Sequence, residues 1–355
     1  MKKLSIPYTK DNKILDLLGD NIQYVREIFM PLPYDIFKSG RPYGNDELEN
    51  YKSLMDSQIQ KAKLMGLEVA MLASKTFLDT DTGINSMNKS VRELARLKEN
   101  FDIDKVKISN FAFLKNKGEY IKSIGLNIEM SVMADIDTFE KVDQVMTLYP
   151  YIDCICLHNT FIFMLDDIKY IKEKYPKLEL KIMVNHGCLI NCASHAQHHD
   201  MLSCIAGNID MEDPEQWRIA SNRNILLPSS KICSYYVNAD TINPLRESAH
   251  IRPEDLHYYD DVIDMFKISG REQNAQYIVG VIKAFGERMY DGDIRMLLDM
   301  PYQMPYMDNT KFPENYMERK LNCNHKCYKC NYCDTIAKDV IDRDKHMEVN
   351  TSKHN

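Results

Sequence analysis

The sequence predicts an α/β chain folded as a (β/α)8 TIM-like barrel, with a Cys/His-rich insertion after strand 6 and a C-terminal cysteine-rich extension. Three observations predict it. Eight short apolar or β-branched runs alternate with segments of helical periodicity, mostly at the intervals a barrel uses. No glycine-rich phosphate loop follows the first run, as an open dinucleotide-binding sheet would want. A length of 355 residues suits either two domains or one barrel with additions, and the order of apolar runs favours the barrel. The expected division is 1–295 for the barrel and 296–355 for an extension with a four-cysteine metal site and a flexible tail.

In chain order the expected strands are Val25–Leu32, Leu67–Ala73, Val106–Ser109, Asn127–Ala134, Ile152–Leu157, Leu178–Val184, Ile225–Pro228 and Val262–Ile268. Helical patterns lie between them. Asp46–Met65 opens on acidic residues, which suit a helix N-terminus, and Asn88–Glu99 carries Val91, Leu94, Ala95 and Leu97 at helical spacing. Thr138–Leu148 is amphipathic, and Ile162–Lys174 and Asn274–Tyr290 fit the same period. The stretch from Gly187 to Asn224 is too long for a simple loop and helix and is rich in Cys, His, Asn and Asp. An insertion at the carboxyl end of a barrel strand is where such folds build active sites. After Tyr290 the pattern breaks at Pro301, Pro305 and Pro313, and the charged residues past Asp334 predict a short helix and a frayed end.

Composition narrows the class. With 45 basic and 52 acidic side chains the net charge is -7, which gives no electrostatic footprint for nucleic acid and disfavours it as a partner. No stretch approaches the ~20 apolar residues of a membrane helix. The opening MKKLSIPYTKDNK has no apolar signal core, so the expected location is cytoplasmic. Ten cysteines are many for a chain kept reduced, and clustered thiolates point to metal.

The first cluster follows the expected sixth strand. In Asn185-His186-Gly187-Cys188-Leu189-Ile190-Asn191-Cys192, Gly187 lets the chain turn before the first thiolate, and Cys188 and Cys192 stand four apart. Cys204 and Cys233 complete a set of four, the number a 4Fe-4S cluster requires. Zinc also takes four thiolates, and His195, His198 and His199 widen its options. Free cysteines that simply pack in the core are the plain alternative. The second cluster, Cys323, Cys327, Cys330 and Cys333, is tighter. Its first three sulfurs match the Cys-x3-Cys-x2-Cys pattern of radical S-adenosylmethionine enzymes, but it follows the last strand instead of the first, so an auxiliary iron–sulfur cluster or structural zinc is expected there.

Single residues at strand ends supply the other candidates. Lys267 and Arg271 stand where barrels bind anionic substrate groups, an ion pair with Asp264 or Glu272 being the alternative. Cys154, Cys156 and His158 alternate on one face of a strand, the thiols as packing and His158 at the mouth. His186 is the candidate acid–base group, with His158 and Asn185 beside it as further catalytic candidates.

The Gly187-Cys188 turn with its spaced cysteines, then Phe266-Lys267-Ile268-Ser269-Gly270-Arg271, Tyr277-Ile278-Val279 and Val281-Ile282-Lys283-Ala284-Phe285, resemble peptidase family U32, the collagenase-like group. The resemblance covers residues ~120–290. It departs at Ser269, where the family usually has Glu, and in shorter spacings between the first cysteines. What it implies is a barrel with a four-cysteine iron–sulfur cluster, and several relatives are oxygen-independent hydroxylases of tRNA, rRNA or the ubiquinone precursor. The residues themselves show no His-Glu-x-x-His helix and no Gly-x-Ser-x-Gly elbow. The expected function is an iron–sulfur-dependent modification of a peptide or small molecule, with a collagenase-like peptidase and a non-catalytic iron–sulfur partner of a radical enzyme as alternatives.

Overall fold

A computed structural model describes residues 3–32, 45–74, 76, 83–200, 240–299, 305–323, 325–342 and 345, the side chains of 45–48 and 83–86 excepted. In chain order the elements are β1 (Leu4–Pro7), α1 (Ile14–Leu17), β2 (Val25–Pro31), α2 (Asn45–Leu64), β3 (Glu68–Ala73), α3 (Gly83–Phe101), β4 (Lys105–Ile108) and α4 (Phe111–Ser123). Then come β5 (Asn127–Met130), α5 (Phe139–Leu148), β6 (Cys154–Cys156), α6 (Leu165–Lys174), β7 (Glu179–Met183), β8 (Asn185–Leu189), α7 (Asn243–Glu247), β9 (Ser248–His250), β10 (Met265–Lys267) and α8 (Ala275–Glu287). The last described part holds β11 (Tyr306–Met307), α9 (Tyr316–Leu321), α10 (Tyr332–Val340) and β12 (Ile341–Asp342). Eight parallel strands close a barrel in the order β1-β10-β7-β6-β5-β4-β3-β2. The α/β barrel expected from the alternation is present.

Two of its details differ from the expectation. The strand that opens the barrel is β1, which pairs with β2 at Ile6↔Ile28 and with β10 at Leu4↔Phe266. Four residues ending in proline make too short a run for the pattern to register, because Pro7 offers no N–H to continue a ladder. The expected strand Ile225–Pro228 is not among the eight that close the barrel and lies outside the described residues. Counting β1 shifts the order by one, so the cysteine-rich insertion follows the seventh barrel strand, not the sixth. The polypeptide leaves β7, adds β8 above the barrel, and returns through β9, which pairs antiparallel with β8 at Asn185↔His250.

Strand register decides what faces inward. Outward residues such as Ile28, Val69, Met71, Ile108 and Ile128 join the large apolar core under the helices. The inward positions of β1, β2, β4, β5 and β7 carry Ser5, Glu27, Lys107, Glu129 and Lys181, all fully buried. Glu27 accepts from Ser5 Oγ at 2.6 Å, Lys107 Nζ at 2.6 Å and Lys181 Nζ at 2.8 Å, and Lys181 also donates to Glu129 at 2.6 Å. Lys105 approaches Glu27 at 3.2 Å and Glu179 at 3.1 Å. Burial alone would raise the Glu27 carboxyl, but Lys107, Lys181 and Lys105 hold it well below the ordinary range. Barrel interiors are usually filled by branched aliphatics, and here the middle is ionic. Above it a thin apolar storey of Phe29, Ala70 and Leu72 on one side and Val132, Cys156 and Met183 on the other separates the ions from the mouth. The Phe29 ring lies between two ammonium groups, Lys107 Nζ at 4.6 Å and Lys267 Nζ at 5.2 Å.

Candidate active site at the barrel mouth

A cavity opens at the carboxyl ends of the strands. Phe29, Leu72, Val132 and Met183 line it beside the polar groups of His186, His195, Lys267, Ser269, Arg271 and Asp299. Its strand-end residues come from β2, β3, β7, β8 and β10, the placement barrel enzymes use because loops there can vary while the strands stay fixed.

The most ordered polar group is built around β8. His186 is buried, and its Nδ1 lies 2.7 Å from Asp299 Oδ2. Asp299 also accepts from Gly187 N at 2.9 Å and from Ser269 Oγ at 2.7 Å. Burial alone would raise this carboxyl, but the His186 charge and these hydrogen bonds hold it at about 2. Asn185 clamps the arrangement: its Nδ2 donates to Ser269 O and Leu297 O at 3.1 Å each, and its Oδ1 accepts from Ser269 N at 2.7 Å. All its polar atoms are committed, so Asn185 positions Ser269 and the 297–299 segment. An anionic partner at Nδ1 fixes the imidazole orientation and leaves Nε2 as the ring atom for proton transfer.

Lys267 is buried and reaches the cavity; the Asp264 that stood as its alternative partner pairs instead with Lys172 at 2.6 Å. Arg271 lines the same cavity, 3.5 Å from Glu272, which also takes Lys10 at 2.8 Å. The two cations and the His186–Asp299 pair share one wall-to-wall space.

On the opposite side, His158 closes β6 and meets the insertion. Its Nε2 stands 3.4 Å from His195 Nδ1, and His195 Nδ1 lies 3.0 Å from Asp135 Oδ1. Burial, then the neighbouring His195, pulls His158 down to about 4. The buried amide of Asn159, next along the chain, finds no hydrogen-bond partner among the described residues.

Of the cysteines, Cys154 and Cys156 are buried, and burial pushes both thiols up, as packing side chains. Cys188 is buried on β8 and Cys192 half-buried in the turn beyond it; Cys204 and Cys233 lie outside the described residues. In the extension, Cys323, Cys327, Cys330 and Cys333 line a single cavity with Arg246, Lys320, Lys326 and Lys329. Lys320 is 2% exposed and donates to Leu245 O at 3.1 Å and Arg246 O at 2.8 Å. Since Leu245 and Arg246 lead into β9, the cysteine cavity packs against the arm that carries His186 and Cys188.

No family model matches the chain. It is 27% identical over 352 residues to an uncharacterized protease of Methanocaldococcus jannaschii, an alignment that covers 95% of this chain and 98% of the relative. Among solved structures, a U32 peptidase matches with a TM-score of 0.50 and 16% identity, over 75% of this chain and 92% of the other. The barrel is similar in fold to that of a U32 peptidase. The likeness read from the cysteine turn and the Lys-Ile-Ser-Gly-Arg stretch is therefore met by the fold. Ser269 stands where the resemblance expects Glu, and Asp299 brings a carboxylate to its hydroxyl from beyond the barrel. No sequence motif marks Asp299. Asp135 was also missed, although an Asp-x-Asp with Asp137 in the loop after β5 is a signal a reader of barrel loops could use. Among the described residues no helix is long and apolar enough to cross a membrane.

Proposed function

We propose that the chain is an enzyme that works at its barrel mouth on a carboxylate-bearing peptide or small molecule, with His186 as the proton-transferring group. The buried His186–Asp299 pair at 2.7 Å, facing a cavity that also holds Lys267 and Arg271, carries this reading. Arg271 can grip a carboxylate in bidentate fashion and Lys267 adds a point charge. The favoured reaction is hydrolysis of a peptide-type bond, the activity that appears in the names of both relatives. Ser269 Oγ is committed to Asp299 and Asn185, so water is the nucleophile. His186 Nε2 takes a proton from that water as its oxygen bonds to the carbonyl carbon, and returns it to the leaving nitrogen as the carbon–nitrogen bond breaks. Asp299 keeps the imidazolium in place meanwhile.

A specific observation favours a second reading, an iron–sulfur enzyme that modifies such a substrate without oxygen. Four cysteines surround one cavity among basic side chains, a donor set that fits a cluster or a structural zinc. Cys323, Cys327, Cys330 and Cys333 would hold it, and Cys188 and Cys192 with Cys204 and Cys233 would hold a second. Such a group supplies single electrons, and the exposed Cys327 and Cys330 edge would face a redox or radical-enzyme partner.

One experiment separates the readings. Anaerobically purified protein is assayed for iron and incubated with short peptides bearing free carboxylates, products being identified by mass spectrometry. Two fragments that together gain one water, lost in His186→Asn and Asp299→Asn by about 10²–10⁴-fold, support hydrolysis. About four iron atoms per four-thiolate site, with a substrate changed in mass but not cleaved, supports the iron–sulfur reading. Turnover that survives both substitutions unchanged would sink the assignment of His186 in either.

A further inference from the structure

Three chain segments far apart in sequence bring Asp135, His158 and His195 to one point at the rim of the barrel. Asp135 follows β5, His158 follows β6, and His195 lies in the insertion beyond β8. One ligand atom of each, a carboxylate oxygen and two imidazole nitrogens, lies within 4.8 Å of the other two. The separations are 3.0 Å from His195 Nδ1 to Asp135 Oδ1, 3.4 Å from His158 Nε2 to His195 Nδ1, and 3.8 Å from His158 Nε2 to Asp135 Oδ1. Ligands held about 2.0–2.2 Å from one ion stand about 3.0–3.5 Å from each other, so the three atoms need to move only a few tenths of an ångström.

We propose that Asp135, His158 and His195 form a binding site for a divalent first-row transition-metal ion, with open positions that water or substrate can take. This site is distinct from both cysteine sets and from the His186–Asp299 pair, and its occupancy does not depend on which reaction the mouth performs.

Each imidazole has a polar neighbour at its second ring nitrogen. Metal-bound histidines donate their second ring N–H to a neighbouring acceptor, which fixes the ring. His195 Nε2 lies 3.2 Å from His199 Nε2, and His158 Nδ1 lies 3.1 Å from Thr160 Oγ1. The Thr160 hydroxyl hydrogen is itself directed to Asp137 O at 3.0 Å, so Oγ1 can accept from Nδ1. In the metal-free ring the Thr160 backbone N–H donates to Nδ1 at 3.3 Å, and metal at Nε2 moves the ring proton to Nδ1, which exchanges that bond for one to Oγ1. His199 reaches the opposite nitrogen of His195, so it orients that ring and does not join the ligand set.

The side chain of Asp135 is 35% exposed, against 7% for His158 and 11% for His195. The imidazoles are anchored and the carboxylate side is open. Two imidazoles, one carboxylate and free positions are the donor set of catalytic zinc and of non-haem iron(II) sites. Because His195 lines the mouth cavity, an ion here would stand on the wall that faces His186 and Lys267.

The test uses full-length protein freed of metal, titrated anaerobically with Co²⁺. Cobalt bound by the cysteine sets shows strong thiolate charge transfer, whereas cobalt at Asp135, His158 and His195 shows only weak visible bands. The expected result is a thiolate-free component that disappears in His195→Ala and in Asp135→Asn and persists in Cys327→Ser. Mn²⁺, which thiolates bind poorly, repeats the test through loss of the free-ion resonance signal. Asp135→Asn keeps the side chain's shape at a partly exposed position, so it answers the question if a histidine variant fails to fold. Absence of the thiolate-free component, or its survival in both variants, overturns the site and leaves a hydrogen-bonded His–Asp relay.

Discussion

Two buried groups, both near β8, set how the protein meets acid. His250, on β9, donates to or accepts from Ser248 Oγ at 2.7 Å, and burial followed by the Lys320 and Arg252 charges pulls it from the ordinary 6.5 down to about 3. The folded state therefore binds fewer protons than the unfolded chain between those values. Stability contributed by neutral His250 is present above about pH 6.5 and is lost as pH falls toward about 3, on the order of 5 kcal/mol in all. Asp299, held at about 2 despite its burial, contributes stability that is lost lower down, between about pH 4 and 2. Denaturant midpoints from pH 7 to 3 should fall for the wild type and fall less steeply for His250→Gln, which cannot titrate. Equal slopes in the two proteins would remove His250 from the account. At this scale His186, the partner of Asp299, was legible in the sequence, since it adjoins a cysteine turn at a strand end. Asp299 was not, because it owes its role to a backbone bond from its N to Asn185 O at 3.0 Å, across more than a hundred residues.

Elements were easiest to read where the pattern was long. α3, α5 and α8 show spaced apolar residues, and β2, β3 and β7 are mostly apolar strands of five to seven residues. β1 escaped because its four residues carry too little pattern, and α4 because its exposed Lys-rich turns dilute the buried stripe of Phe113, Leu114 and Ile121. Packing at this scale can be tested on α8, which carries two interior glycines with opposite surroundings. A Cβ on Gly286 would sit 2.3 Å from the Tyr24 ring, whereas a Cβ on Gly280 meets nothing within 4 Å. Gly286→Ala should cost about 1–3 kcal/mol by forcing helix and ring apart. Gly280→Ala should stabilise by about 0.5–1 kcal/mol through helix propensity alone. Thermal unfolding of the pair decides the matter, and equal effects would mean that α8 does not lie that close to Tyr24.

For the molecule as a whole, the ionic interior is the distinguishing feature. Glu27 is fully buried and shared by Lys107, Lys181 and Lys105, so its neutral replacement leaves buried ammonium groups short of a counter-ion. Glu27→Gln should destabilise the barrel by about 3–5 kcal/mol, read from denaturant unfolding. A loss under about 1 kcal/mol would show that the lysines relax toward Glu129 or shed a proton instead. In sequence these residues look like the polar half of alternating strands, since Arg26-Glu27-Ile28 and Lys105-Val106-Lys107 fit a half-exposed sheet as well as a closed one. Closure turns that polar face inward, where the charges must neutralise one another.

The sequence by itself determined the alternation of strands and helices, the grouping of cysteines, and the strand-end residues His158, His186, Lys267 and Arg271, because hydrophobic period and motif spacing are local properties. The tertiary structure alone decided that β1 closes the barrel, that its middle is ionic, and that Asp135 and Asp299 join those histidines. Each of these depends on which distant segments share a strand register or a rim, and a one-dimensional pattern carries no record of that.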